Sequence, residues 1–268
     1  MNQINKKMKI TVLVISCIIF IIIGLIISLI YNQNSQKTKI SLQTLNTTKT
    51  VIQNQQNQTV FDTILSTCPT QSEIKEFNNY FPITSDIPLK DYKCSNGLNP
   101  NYSENDSDNL DPRLTIYNSL RIMKAMHFRE KLPWTEKNTY DWFKEKIKGI
   151  NINSKTNISF CCNPKQIINL KLDVLQNKDK KEWVKRQTGT GMMHLLLLEI
   201  HEARHIDILH TCGYKDHNLN EMGAWAVQYY LGQYIATELP NNCQNQYERD
   251  ITLSSSEEIK KTRFCDYN

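Results

Sequence analysis

The stretch MMHLLLLEIHEARHIDILHTCGYKDHNLNEMGAWAVQYY, Met192 to Tyr230, decides how this chain is read. Six histidines occur in 268 residues, and His194, His201, His205, His210 and His217 all fall within it. The leucine run that opens the stretch is apolar enough for a buried helix. On a helix, His201 and His205 of HEARH lie about 40° apart, one turn along the same face. Two imidazoles on one face can hold one Zn²⁺ through nitrogen. Glu202 falls about 60° from His205, at the edge of that face, where a carboxylate reaches a water without ligating the metal. The plain alternative is a solvated turn whose charged side chains face water. The apolar positions just before the motif argue against it.

The H-E-x-x-H sequence resembles the zincin metallopeptidase signature. The resemblance covers Met192 to Tyr230 and implies a Zn²⁺ cofactor, hydrolysis of a peptide or protein substrate, and Glu202 as general base toward a zinc-activated water. Zincins need a third protein ligand. In the metzincin pattern the next two positions are Gly and His; here Ile208 and Thr211 stand there. If the helix runs on to Cys212, His210 points about 180° from His201 and Asp207 about 240°, both on the wrong face. His210 then reads as a dipole-favourable residue near a helix C-terminus, with Gly213 as C-cap. The gluzincin pattern takes a Glu from a second helix. NLNEMGAWAVQYYLGQYIA reads as such a helix, capped by Asn218 or Asn220, with Glu221 in its first turn. NEMGA resembles the N-E-x-x-[SA] start of that helix in thermolysin-like enzymes. Glu221 is therefore the expected third ligand, with Asp216 and His217 next. It lies sixteen residues after His205, closer than in the best-known gluzincins, so the loop GYKDHN has to be tight. Trp225 and Gln228 read as core or as support for the ligands. His194 and His127 read as structural, Arg204 as pointing away toward an acid, and Tyr214, Tyr229 and Tyr230 as candidate oxyanion donors.

At the other end of the chain, Ile10 to Ile30 carries no charge. At about 1.5 Å per residue such a run crosses a hydrocarbon core of roughly 30 Å. Lys6, Lys7 and Lys9 precede it, so the positive-inside rule leaves the N-terminus in the cytoplasm and the remainder outside. A cleaved signal peptide lacks support, because SLIYNQN offers no small-residue cleavage site. VISC resembles a lipoprotein box, but thirteen apolar residues would remain after Cys17, which fits a span better. The organisation expected is a basic tail over 1–9, a transmembrane helix over 10–31 in the lipid bilayer, an Asn/Gln-rich stalk over 32–59, and a folded domain over 60–268.

Net charge is +5 and spread along the chain. No basic block points to nucleic acid. Eight cysteines suit an extracytoplasmic domain. Without a C-x-x-C pair they do not form a zinc ribbon. The seven beyond Cys17 allow up to three disulfides, and adjacent Cys161 and Cys162 are expected to point apart toward different partners.

VFDTILSTC and DPRLTIYNSLRIMKAMHF have helical spacing. TEKNTYDWFKEKIKGI reads as a helix from a Thr135 cap to near Gly149. NISFCC and IINLKLDV read as strands, either of which can pair with an extended substrate. KKEWVKRQ is helix or loop, and TGTG supplies a break with a Thr cap before the histidine helix. The expected fold is α+β: a mainly helical zincin-like domain with a small sheet, behind one N-terminal transmembrane helix. Two other functions remain open: a non-catalytic, membrane-tethered binding or structural domain, and a metallo-amidase acting on cell-wall amides.

Overall fold

The computed structural model describes residues 58–94, 111–162, 164–185 and 191–267. The expected transmembrane helix, nearly all of the stalk, and the Thr188 cap lie outside these residues. Among the described residues, no helix is long and apolar enough to cross a membrane.

The chain is α+β, with helices around a small parallel sheet. Helix α1 (Val60–Ser66) starts at a capping box in which Thr59 and Asp62 satisfy each other's backbone N–H groups. Thr70 and Glu73 do the same for α2 (Gln71–Tyr80). Strand β1 (Ile83–Ser85) follows. Helix α3 (Pro112–Ala125) is capped by Asp111, with a proline in its first turn where no N–H is needed.

Helix α4 spans Thr139–Lys146, shorter at both ends than expected. Asn138 is its cap, accepting from Asp141 N, while Thr135 accepts from Lys137 N in the turn before. Beyond Lys146 the period changes from helical to alternating. Ile150 and Ile152 are buried in strand β2 (Gly149–Asn153). Strand β3 (Ile167–Lys171) takes only the first half of IINLKLDV; the second half coils into α5 (Leu172–Gln176). The sheet order is β1-β2-β3, all parallel. NISFCC forms no regular strand. Phe160 alone makes an antiparallel bridge to Asn169, through two backbone bonds, which lays this segment along the outer edge of β3.

Of KKEWVKRQ, Lys180 and Lys181 end a 3-10 turn (Lys178–Lys181) leading to Trp183, which is fully buried, while Arg186 and Gln187 lie outside the described residues. Helix α6 (Met192–Arg204) has no side-chain cap. Gly191, at φ 136°, starts it, and Met192 N and Met193 N donate to the carbonyls of Glu182 and Trp183. A Cβ at Gly191 would meet those same two carbonyls. Leu195, Leu196, Leu197 and Ile200 are buried among α3, α4, β3 and the next helix. Each contributes about 1.5–3 kcal/mol by leaving water. Helix α7 (Ala224–Glu238) lies against α6 and pairs with α8 (Gln246–Thr262).

Among the described residues, Cys68–Cys94 and Cys212–Cys265 are disulfide pairs, the sulfurs of adjacent Cys161 and Cys162 are brought together, and Cys243 is a buried thiol. The expectation that Cys161 and Cys162 reach different partners is corrected. It assumed strand alternation, and the segment leaves the ladder after Phe160.

Candidate metal centre

Helix α6 stops at Arg204 and His205 caps it. The stop is legible in the core stripe: Leu196, Ile200 and Ala203 are buried, but the next residue of that stripe is Asp207. Asp207 instead turns outward to ion pairs with Lys146 and Arg204, both at 2.7 Å. A second tie fixes the helix end, since Arg204 Nε donates to the Met222 carbonyl at 2.8 Å.

Because the helix ends early, the chain doubles back and brings His210 to the ligand face. His201, His205 and His210 each offer a ring nitrogen, and the three nitrogens lie within 4.8 Å of one another. The ring centroids stand 5.0, 5.3 and 4.6 Å apart. The expectation that His210 faces away fails with its premise, a helix continuing to Cys212. Gly213 caps no helix; it sits at φ 66° in a tight turn closed by two backbone bonds between Cys212 and Lys215.

The second ring nitrogens set the tautomers. His205 Nδ1 lies 3.1 Å from the Ile208 carbonyl, an acceptor only, so Nδ1 carries the proton and Nε2 keeps its lone pair. His210 Nδ1 lies 2.8 Å from Asp216 Oδ1, with the same consequence. His201 Nδ1 is buried without a hydrogen-bond partner, as is Gln228 Oε1. Gln228 favours the protonated His201 ring. Burial, then the neighbouring His205 and His210, hold the His201 pKa well below its ordinary value. Burial lowers that of His205. Burial thus favours the neutral rings of His201 and His205, the form that ligates metal. Trp225 packs on His201 at 4.1 Å and stacks on His210 at 5.9 Å. Three imidazoles that each turn one nitrogen toward a common point, with the other nitrogen engaged in His205 and His210, suit a divalent transition metal.

Glu202 is 7% exposed. Burial raises its pKa to about 7, against the lowering effect of Cys161 N–H, which donates to Oε2 at 2.8 Å. Glu199, fully buried three residues earlier, accepts from Ser119 Oγ, and burial raises its pKa to about 8.

Glu221, expected as third ligand, is not one of the three converging residues. It closes a 3-10 turn (Leu219–Glu221) capped by Asn218. Its Oε2 accepts from Thr211 Oγ1 at 2.6 Å and from His217 N at 3.0 Å. The α-helix starts only after Gly223, so Glu221 precedes it and does not project from its first turn. Asp216 touches a ligand and is 1% exposed. His217 is outside the group, its Nδ1 3.8 Å from Asp266. Tyr229 Oη donates to Glu257, and Tyr214 is 89% exposed.

The chain matches no family model, no curated protein and no solved structure.

Proposed function

We propose that this chain is a membrane-tethered, zinc-dependent peptidase of zincin type, with His201, His205 and His210 holding one Zn²⁺ and Glu202 as general base. The observation that carries the reading is the convergence of three ring nitrogens at the end of α6, with a buried carboxylate next in sequence to the first ligand. A zinc ion there lowers the pKa of a water and polarises a substrate carbonyl. Burial keeps Glu202 basic enough to take a proton near neutral pH. Cys161 N–H fixes one of its oxygens, leaving the other for the attacking water. The segment bearing the exposed Ile158 and Phe160 meets the outer edge of β3 through one bridge and offers an extended peptide an edge to pair with. The uncharged run from Ile10 to Ile30 supplies the tether.

A non-catalytic metal domain is the second reading, favoured by the engagement of Glu202 with the Cys161 backbone. One comparison separates the two. The full-length chain in detergent is assayed for zinc and for cleavage of a peptide library, beside Glu202→Gln. A peptidase keeps its zinc in Glu202→Gln and loses about 10²–10⁴-fold in rate. Zinc with no cleavage by either protein sinks the catalytic reading. A folded chain that takes up no zinc sinks both.

A further inference from the structure

Of the three histidines, His201 stands on α6 and His205 caps it, so the helix with its buried leucines holds both. The third stands on a loop and needs another support. Asp216 provides it with every polar atom it has. Oδ1 meets His210 Nδ1 at 2.8 Å. Oδ2 accepts from Trp225 N at 2.9 Å and Ala226 N at 3.2 Å, serving as the cap that Gly223 lacks for α7. Its backbone N donates to the Arg263 carbonyl at 3.2 Å, and its carbonyl accepts from Cys265 N at 3.0 Å. The His217 carbonyl accepts from Asp266 N at 3.0 Å. The Cys212–Cys265 disulfide closes the same pair of segments.

We propose that residues 212–217 and 263–266 form a clamp that positions His210 through Asp216, so that full metal affinity depends on the Cys212–Cys265 disulfide. The inference rests on the three-histidine reading above and names its control element. Asp216 is a positioning residue: it orients the ring and fixes the tautomer that presents Nε2. The disulfide holds the clamp shut. A dithiol opens it by breaking the S–S bond; the two sulfurs leave as thiols with two electrons and two protons, and the dithiol closes to its own disulfide. The metal site then keeps two helix-borne ligands and an unpositioned third.

The test is cobalt(II) titration of the full-length chain in detergent, followed by the visible absorption that reports ligand number and symmetry. Asp216→Ala, C212S/C265S and, as a control for disulfide loss elsewhere, C68S/C94S are compared, each with a thermal melt by circular dichroism. Asp216→Ala is expected to bind about 10–100-fold more weakly with an altered band, and C212S/C265S likewise by about tenfold or more. C68S/C94S keeps the wild-type affinity and spectrum. Wild-type affinity and spectrum in Asp216→Ala overturns the proposal, whether or not C212S/C265S folds. The same result in a folded C212S/C265S overturns the role of the disulfide. A wild-type chain that binds no cobalt overturns the three-histidine reading itself, and the clamp with it.

Discussion

His210 Nδ1 stands 2.8 Å from Asp216 Oδ1, and the same carboxylate accepts from the first N–H groups of α7. One buried side chain thus couples the start of a helix to a candidate ligand that is not on any helix. The third position of the metal group is set by tertiary contacts, and a one-helix motif does not contain it.

His210→Ala removes one of three ligands, whereas Glu221→Ala removes a partner of Thr211 and His217 N. Losing about a third of a binding free energy of roughly 12 kcal/mol lowers zinc affinity on the order of a thousandfold. Glu221→Ala is expected to cost less than about tenfold, in line with an outer-shell change. Competition with a chelator reads both. The reverse ranking would make Glu221 the ligand.

Gly223→Ala would drive a Cβ into the Asp216 carboxylate. Both the melting temperature and the metal affinity should fall. Gly213→Ala places its Cβ in open space at φ 66° and costs only backbone strain, about 1–2 kcal/mol. Equal metal affinity in the two variants would show that Asp216 tolerates displacement.

A Cβ at Gly232 would strike Ser256 Oγ, where α7 crosses α8. Gly232→Ala should destabilise by about 1–3 kcal/mol through overpacking. Ser256→Ala removes the obstructing atom, so the double variant should recover most of that loss. Urea unfolding of the four proteins gives the coupling. Strict additivity would mean that the helices move apart to make room.

Lys180 is 3% exposed, with one hydrogen bond to the Gly191 carbonyl. Burial lowers its pKa from 10.5 to about 8. Folding therefore favours the neutral amine. The penalty for the charged form is absent above the unfolded pKa, grows as pH falls from about 10.5 to 8, and is complete below that. At about 1.4 kcal/mol per unit it reaches roughly 3 kcal/mol at pH 7. Lys180→Met should be more stable than the wild type at pH 7 by up to that amount, less the lost hydrogen bond. Its advantage should disappear near pH 10.5. An advantage that does not change between pH 7 and 10.5 would rule out charge as its cause.

The sequence discloses the parts of the fold that depend on local chemistry. Helix α3, from its Asp111 cap, and the leucine-lined α6 follow from periodicity. HEARH places two metal-facing histidines by helix geometry alone. The strand Gly149–Asn153 is hidden because helical spacing from Thr135 runs smoothly into it, and only the Asn138 cap starts the helix later. Helix α8 has no apolar stripe to read. Its buried residues are Glu248, Thr252 and Ser256, tolerated because Gly232 allows close approach. His210 is the instructive case. The charged Asp207 in the core stripe signals that the helix stops, but where the chain goes next depends on Asp216 and on Cys265, fifty-three residues beyond its partner Cys212.

The opening helix of the domain has its own long-range tie. Val60 N and Phe61 N donate to the carbonyls of Asn242 and Cys243, and Phe61 packs on Trp183 at 4.5 Å. During synthesis α1 leaves the ribosome well before these partners: Trp183 is made about 120 residues later and Asn242 and Cys243 about 180 residues later. All three histidines are present in a nascent chain ending at Pro240, which has neither the seat for Phe61's backbone nor residues 263–266. The clamp around His210 thus closes only after residues 263–266 are made, and shorter nascent chains carry the three histidines without that frame.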